Sequence, residues 1–119
     1  MRKHGAVPAT IAIINGRLAG YGDYETPEQN FPITRPSLNP WELCMTSNNN
    51  WGYHPDDSAY KTPYELITIF ADVISNGGNL LFDIGPREDG WIPTEQVHLL
   101  KELGAGTRAR CRWARLSSR

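Results

Sequence analysis

The 119-residue sequence predicts an α/β fold with parallel strands. Three observations predict it. Short apolar or β-branched runs recur at "TIAIIN" (10–15), "WELCMT" (41–46) and "NLLFDIG" (79–85). Helical patterns follow the second and third runs, at "TPYELITIFADVISNGGN" (62–79) and "PTEQVHLLKELG" (93–104). Strands that alternate with amphipathic helices build parallel sheets rather than sandwiches.

The first run is closed by Asn15-Gly16 and reads as a buried strand that delivers its C-terminal end to a loop. That loop, "NGRLAGYGDYETPEQ" (15–29), holds Arg17, the carboxylates Asp23, Glu25 and Glu28, and three glycines, with no room for a regular element. Pro32, Pro36 and Pro40 then exclude a helix, because each removes a backbone donor and clashes with the preceding turn. The second strand, 41–46, ends in "SNNNWGYHPDD", a polar, turn-rich loop.

The helix after it opens with Thr62 as N-cap, Pro63 at the first helical position and Glu65 three residues after the cap, a capping box. Leu66, Ile69, Phe70, Val73 and Ile74 follow at helical spacing, and Asn76-Gly77-Gly78 supplies the stop. The third strand is followed by a turn over 86–90 and by a second helix, which the spacing predicts to carry Val97, Leu100 and Leu103 on one face.

Three near-continuously apolar strands with two helices cannot cover both faces of a parallel sheet. The sequence therefore reads as part of a larger domain. In β/α architectures active groups sit on loops after the strands, which directs attention to the loops starting at Arg17, Ser47 and Gly85.

Composition narrows the classes. With 39% hydrophobic residues, four Trp and five Tyr, the chain can pack a core. No run of about eighteen apolar residues is present to span a membrane, and 9–14 is too short for a secretory signal. Cys44 and Cys111 are far apart and lack Cys-x-x-Cys spacing, so neither a disulfide framework nor a zinc site is indicated. The net charge of −1 conceals an asymmetry: five of the twelve Lys and Arg fall in the last fifteen residues, which hold no acid. Residues 1–104 carry seven basic against thirteen acidic groups, a balance of −6. A nucleic-acid binder using the arginines as its patch is disfavoured by that acidic body.

Three blocks, "NGRLAGYGDYETPEQ", "WELCMTSNNNWGY" and "ELITIFADVISNGGNLLFDIGPREDGWIPTEQVHLLKELG", taken in order, resemble the α-L-fucosidases of glycoside hydrolase family 29. The resemblance runs from about Ile13 to Gly104. Asn-Gly-Gly-Asn-Leu-Leu shortly before Ile-Gly-Pro is its most specific part. It implies the later strands and helices of a (β/α) barrel of TIM type, with the aspartate nucleophile and sugar-gripping histidines upstream of Met1. The implied activity is retaining hydrolysis of terminal α-L-fucose from glycans or glycosides.

Retaining glycosidases need two carboxyl groups about 5–5.5 Å apart, one attacking the anomeric carbon and one serving as acid and then base. By resemblance Glu28, in Thr-Pro-Glu, is the acid/base, with Glu25 and Asp23 as rivals. Arg17, in Asn-Gly-Arg, matches an arginine that hydrogen-bonds the sugar near its ring and the nucleophile, a task for planar, permanently charged donors. Trp51, in Asn-Trp-Gly-Tyr, matches an aromatic position against the fucose methyl, whose burial is worth roughly 0.8 kcal/mol. The bland readings are a loop carboxylate, a strand-end ion pair and a core lid.

The resemblance implies no metal and no cofactor, and a fucosylated glycan or glycoside as substrate. Neither nucleic acid nor a membrane is expected as a partner. Oligomeric state stays open, as does the compartment, among secreted, periplasmic and lysosomal. Asp83 lies where relatives often have Asn, which predicts a backbone-bonding role. Asn76–Asn79 is expected to cap the helix and enter the next strand. His54 with Asp56 and Asp57 reads as a solvated turn, and His98 as an ordinary helix residue.

Relatives often read Asn-Asp-Arg at 15–17, so Gly16 removes one carboxylate and leaves the arginine. After Gly104 the expected helix continuation is replaced by "AGTRARCRWARLSSR" (105–119), which fits a shifted reading frame or a truncated gene product better than an evolved tail. The reading is thus residues 1–104 as a C-terminal barrel portion, inactive alone. Its alternative is a non-catalytic carbohydrate-binding remnant, which would keep Trp51 and not require Glu28.

Overall fold

The computed structural model describes residues 12–18, 21–30 and 39–116, with side chains as far as Arg108. In order these form β1 (Glu42–Thr46), α1 (Pro63–Ser75), β2 (Asn79–Asp83) and α2 (Thr94–Leu116). β1 and β2 are parallel neighbours, with Glu42 opposite Asn79 and Thr46 opposite Asp83. Parallel neighbours need a crossover rather than a hairpin, and α1 supplies it.

The bounds of α1 follow from its sequence. Thr62 Oγ1 accepts the Glu65 N–H at 3.2 Å, and the Glu65 carboxylate accepts the Thr62 N–H at 2.7 Å. The two bonds satisfy reciprocal donors at the helix start. At the other end Gly77 adopts φ 74°. Its N–H reaches the Ile74 carbonyl at 3.0 Å, and the Gly78 N–H reaches that of Val73 at 2.9 Å. This double closure is the Schellman arrangement, and it returns the chain directly to β2. The expected cap over 76–79 is thus observed.

The parallel register places Leu43 opposite Leu80 and Met45 opposite Phe82. These side chains share the sheet face that meets α1. Trp41, Leu43, Met45 and Val73 form the buried centre, with Ile69, Leu80 and Phe82 packed against it. Burying a side chain of this size is worth roughly 1.5–3 kcal/mol, so the cluster is the main source of cohesion. Trp41 also donates its indole N–H to the Asn76 carbonyl at 3.3 Å, tying β1 to the end of α1.

Other expectations are corrected. β2 is not buried on both faces: Leu81, on the face opposite α1, is 50% exposed. Among the described residues that part of the sheet has a helix on one side alone, and a parallel strand needs cover on both. The strand expected over 10–15 is not formed in its described part. Ile13 and Ile14 are 77% and 59% exposed, and Asn15 makes an isolated parallel bridge to Tyr24. Thr10 and Ile11 lie outside the described residues. In α2 the deeply buried positions are Gln96 and Leu99, whereas Leu100 is exposed. The inward row therefore runs through a polar residue, which a search for apolar spacing passes over. Among the described residues no helix is long and apolar enough to cross a membrane.

Candidate active site

Arg17 stands on a turn held by backbone bonds. The Gly16 N–H donates to the Tyr24 carbonyl at 2.8 Å, and the Asp23 N–H to that of Ile14 at 2.7 Å. Gly22 closes the turn at φ 142°, where an added Cβ would lie 2.5 Å from the Gly16 Cα. Only glycine fits that approach. The Asp23 carboxylate accepts the Ile14 N–H at 2.8 Å, so this rival of Glu28 is committed to bracing the turn.

The tail of the acidic loop is more ordered than the sequence suggested. Residues 25–29 run parallel to β1 on its edge away from β2, bridging Glu25 to Trp41 and Glu28 to Cys44. The Glu42 N–H donates to the Glu25 carbonyl and the Cys44 N–H to the Pro27 carbonyl, both at 2.9 Å; the Gln29 N–H returns a bond to the Cys44 carbonyl at 2.8 Å. Pro27 is tolerated here because its missing donor falls at a position where the ladder uses its carbonyl. The loop therefore acts as a third extended segment, which hides from sequence reading because it lacks apolar alternation.

This pairing brings Glu28 to Arg17. The Arg17 guanidinium donates to the Glu28 carboxylate, with both side chains a little under half exposed. Gly16, Arg17, Glu25, Thr26 and Glu28 line an open depression of about 380 Å³. Glu25, the second rival, accepts a hydrogen bond from the Asn39 amide at 3.4 Å. A carboxylate and a guanidinium side by side in an open depression can hold a polyol and exchange a proton with it.

Trp51 lies on the loop after β1 and is 46% exposed. It is not among the residues lining the depression. Its loop is braced from within. Asp57 accepts the Asn49 N–H at 3.1 Å, the Asn50 amide at 2.7 Å and the Ala59 N–H at 2.9 Å. The Ala59 backbone bond is the chief reason the Asp57 carboxyl is held below its ordinary range. This is an Asx-turn role, matching the expected turn around His54, Asp56 and Asp57. Lys61 closes the loop base, its N–H on the Ser47 carbonyl at 2.9 Å and its ammonium on the Thr46 carbonyl at 2.7 Å. Burial pushes the Lys61 ammonium down from its ordinary value.

The loop after β2 packs against the Trp51 loop. A Cβ on Gly85 would lie 2.5 Å from the Tyr53 nitrogen, so the contact is backbone on backbone. The Gly85 N–H donates to the buried Gln96 side chain at 3.0 Å, which anchors this junction to α2. Asp83, at the end of β2, makes no side-chain hydrogen bond among the described residues, so the backbone-bonding role expected for it is not seen. Burial pushes its carboxyl up.

The structure thus joins Arg17 with Glu28 and sets Trp51 on a neighbouring loop. Sequence reasoning missed Gln29, Thr46 and Asn48, which are joined by hydrogen bonds at the end of β1. It could have found Asp57 as a brace, because Asp in a turn-rich segment commonly bonds the backbone N–H two residues on.

The family described as Alpha-L-fucosidase matches residues 2–109. The plasma alpha-L-fucosidase of Rattus norvegicus is 34% identical over 92 residues, covering 75% of this chain and 20% of the relative. The structure of alpha-L-fucosidase isoenzyme 1 from Paenibacillus thiaminolyticus superposes with a TM-score of 0.76 at 36% identity, over 82% of this chain and 27% of that one. A Thermotoga maritima alpha-fucosidase in complex with fucose gives a TM-score of 0.64 at 29% identity, over 82% and 22%. The chain spans about a fifth of the length of the curated relatives it matches. The match along nearly its whole length, with the fold shared, shows that this chain belongs to the alpha-L-fucosidase family.

Proposed function

We propose that the chain supplies the acid/base side of a retaining α-L-fucosidase site on a (β/α) barrel, with the nucleophile on a segment outside it. Glu28 protonates the departing glycosidic oxygen and then, as a carboxylate, activates water. Arg17 holds the sugar near its ring. Trp51 packs against the fucose methyl. The substrate is a terminal α-L-fucose on a glycan or glycoside. The observation that carries this reading is the Arg17–Glu28 pair in its open depression on the segment that runs parallel to β1.

Arg17 is placed to orient the Glu28 carboxyl through a charge-assisted hydrogen bond. A nucleophilic carboxylate about 5–5.5 Å away favours the acid form needed for the first half-reaction.

The test joins the chain to the segment carrying the nucleophile and compares Glu28 with Glu28→Gln. Hydrolysis of fucosides with poor leaving groups should fall by about 10²–10⁴-fold, and that of activated aryl fucosides much less. Undiminished cleavage of poor-leaving-group fucosides overturns the assignment. Retained sugar binding with no hydrolysis even after the nucleophile segment is joined would favour a carbohydrate-binding remnant instead. The 119-residue chain by itself is expected to hydrolyse nothing, since an acid without a nucleophile leaves no covalent route.

A further inference from the structure

The N–H groups of Glu42, Cys44 and Thr46 point to the edge of β1 occupied by residues 25–29. The first two meet backbone carbonyls, those of Glu25 and Pro27. The third does not. Gln29 adopts φ 58°, the one positive φ at a non-glycine among the described residues. That turn ends the backbone ladder, and the Gln29 side chain takes over: its Oε1 accepts the Thr46 N–H at 3.4 Å. A residue with a Cβ disfavours this conformation, and it persists where the surroundings over-determine it. Here it falls on the residue directly after Glu28.

Thr46 is fully buried, and Ser47 and Asn48 after it are buried. Its hydroxyl has one proton, and it donates this to the Asn48 carbonyl. The same oxygen accepts from Gln29 Nε2 at 3.3 Å. Asn48 in turn accepts the Asn50 N–H on its side-chain oxygen at 3.2 Å. Asn50 immediately precedes Trp51. An unbroken hydrogen-bonded line therefore runs from the residue after Glu28 to the residue before Trp51, and its centre is shielded from water. Buried, satisfied networks of this kind fix geometry tightly.

We propose that Thr46 is a positioning residue that sets the Glu28 carboxyl and the Trp51 ring relative to one another, through Gln29 on one side and Asn48 on the other. This rests on the reading of Glu28 and Trp51 as parts of one sugar site. Thr46 touches no substrate. Its part is to prevent the acid/base segment and the aromatic loop from drifting independently, since the first is tied to the end of β1 through Gln29 and the second leaves from it.

The test uses the isotopically labelled 119-residue chain and Thr46→Val, which keeps the side-chain shape and deletes the hydroxyl. NMR follows the Glu28 carboxyl carbon through a pH titration, together with the Trp51 indole N–H. In Thr46→Val the Glu28 midpoint should move as its contact with Arg17 loosens. The Trp51 resonance should shift, while the amides of α1 and α2 stay in place. Thr46→Ser should restore both signals. Gln29→Ala should move Glu28 and leave Trp51, because the bond to Asn48 survives.

The proposal is overturned if Thr46→Val leaves either signal unchanged. It is also overturned if that substitution unfolds the whole chain, because a contact that only positions must be removable with both helices intact. Coupled signals combined with full hydrolysis by Glu28→Gln in the completed enzyme would defeat the enzymatic reading and leave the coupling standing.

Discussion

Arg17 and Glu28, eleven residues apart in sequence, meet as an ion pair because the extended segment 25–29 is zipped onto β1. Half-exposed pairs of this kind contribute about 0–1 kcal/mol to stability. Arg17→Ala should therefore leave thermal unfolding of the chain nearly unchanged. In the completed enzyme the same substitution should lower kcat/KM on an aryl fucoside by about 10- to 100-fold, the value of a charged hydrogen bond to substrate. A large fall in Tm with little change in kcat/KM would assign Arg17 to the fold instead.

Acid should loosen the protein at two identified places. Glu65 is held below its ordinary 4.5, chiefly by the Thr62 N–H, and Asp57 below its ordinary 3.8, chiefly by the Ala59 N–H. Both carboxylates bind fewer protons when folded than when unfolded. Their contributions are fully present above those ordinary values and are lost as pH falls through the lower, folded ones. Denaturant midpoints should drop as pH is taken from 5 to about 2. Glu65→Gln and Asp57→Asn should each flatten that dependence. An unchanged slope in the double variant would refute the assignment.

Gly78 tests how closely the core is packed. A Cβ there would stand 2.4 Å from the Trp41 ring, and the ring is 3% exposed with its indole N–H bonded to Asn76. Gly78→Ala should cost about 1–3 kcal/mol, as overpacked sites do, and lower the Tm by several degrees. Trp41→Phe in the Gly78→Ala background should recover part of the loss, because the ring atoms that collide are those of the indole's benzene portion. Equal Tm values for wild type and Gly78→Ala would show that the ring can move aside at no cost.

Much of this architecture is written locally. Thr62, Pro63 and Glu65 announce the start of α1, and Asn76-Gly77-Gly78 its end, because caps depend on bonds within a few residues. β1 is legible from Trp41 to Thr46 for a similar reason: a strand buried on both faces reads as a near-continuous apolar run. Residues 25–29 are not legible, since polar and proline-bearing segments join a sheet through backbone groups that every residue carries. Gln96 was passed over because its burial depends on one distant partner, the Gly85 N–H. Arg17, Glu28 and Trp51 were reached through a resemblance rather than through periodicity. The network that links their loops depends on Gln29 turning left-handed, and nothing in Thr-Pro-Glu-Gln announces such a turn.

The half-bare face of β2 has a practical corollary for anyone producing this polypeptide. Leu81 on that face, and Ile13 and Ile14 on the segment before Arg17, each present hydrocarbon to water, at a penalty near 25 cal/mol for each Å² left wet. Such a surface recruits whatever greasy material is nearby. Yield and solubility in a host cell should therefore respond more to a chaperone, or to co-expression of a polypeptide that shelters these side chains, than to any change in the helices.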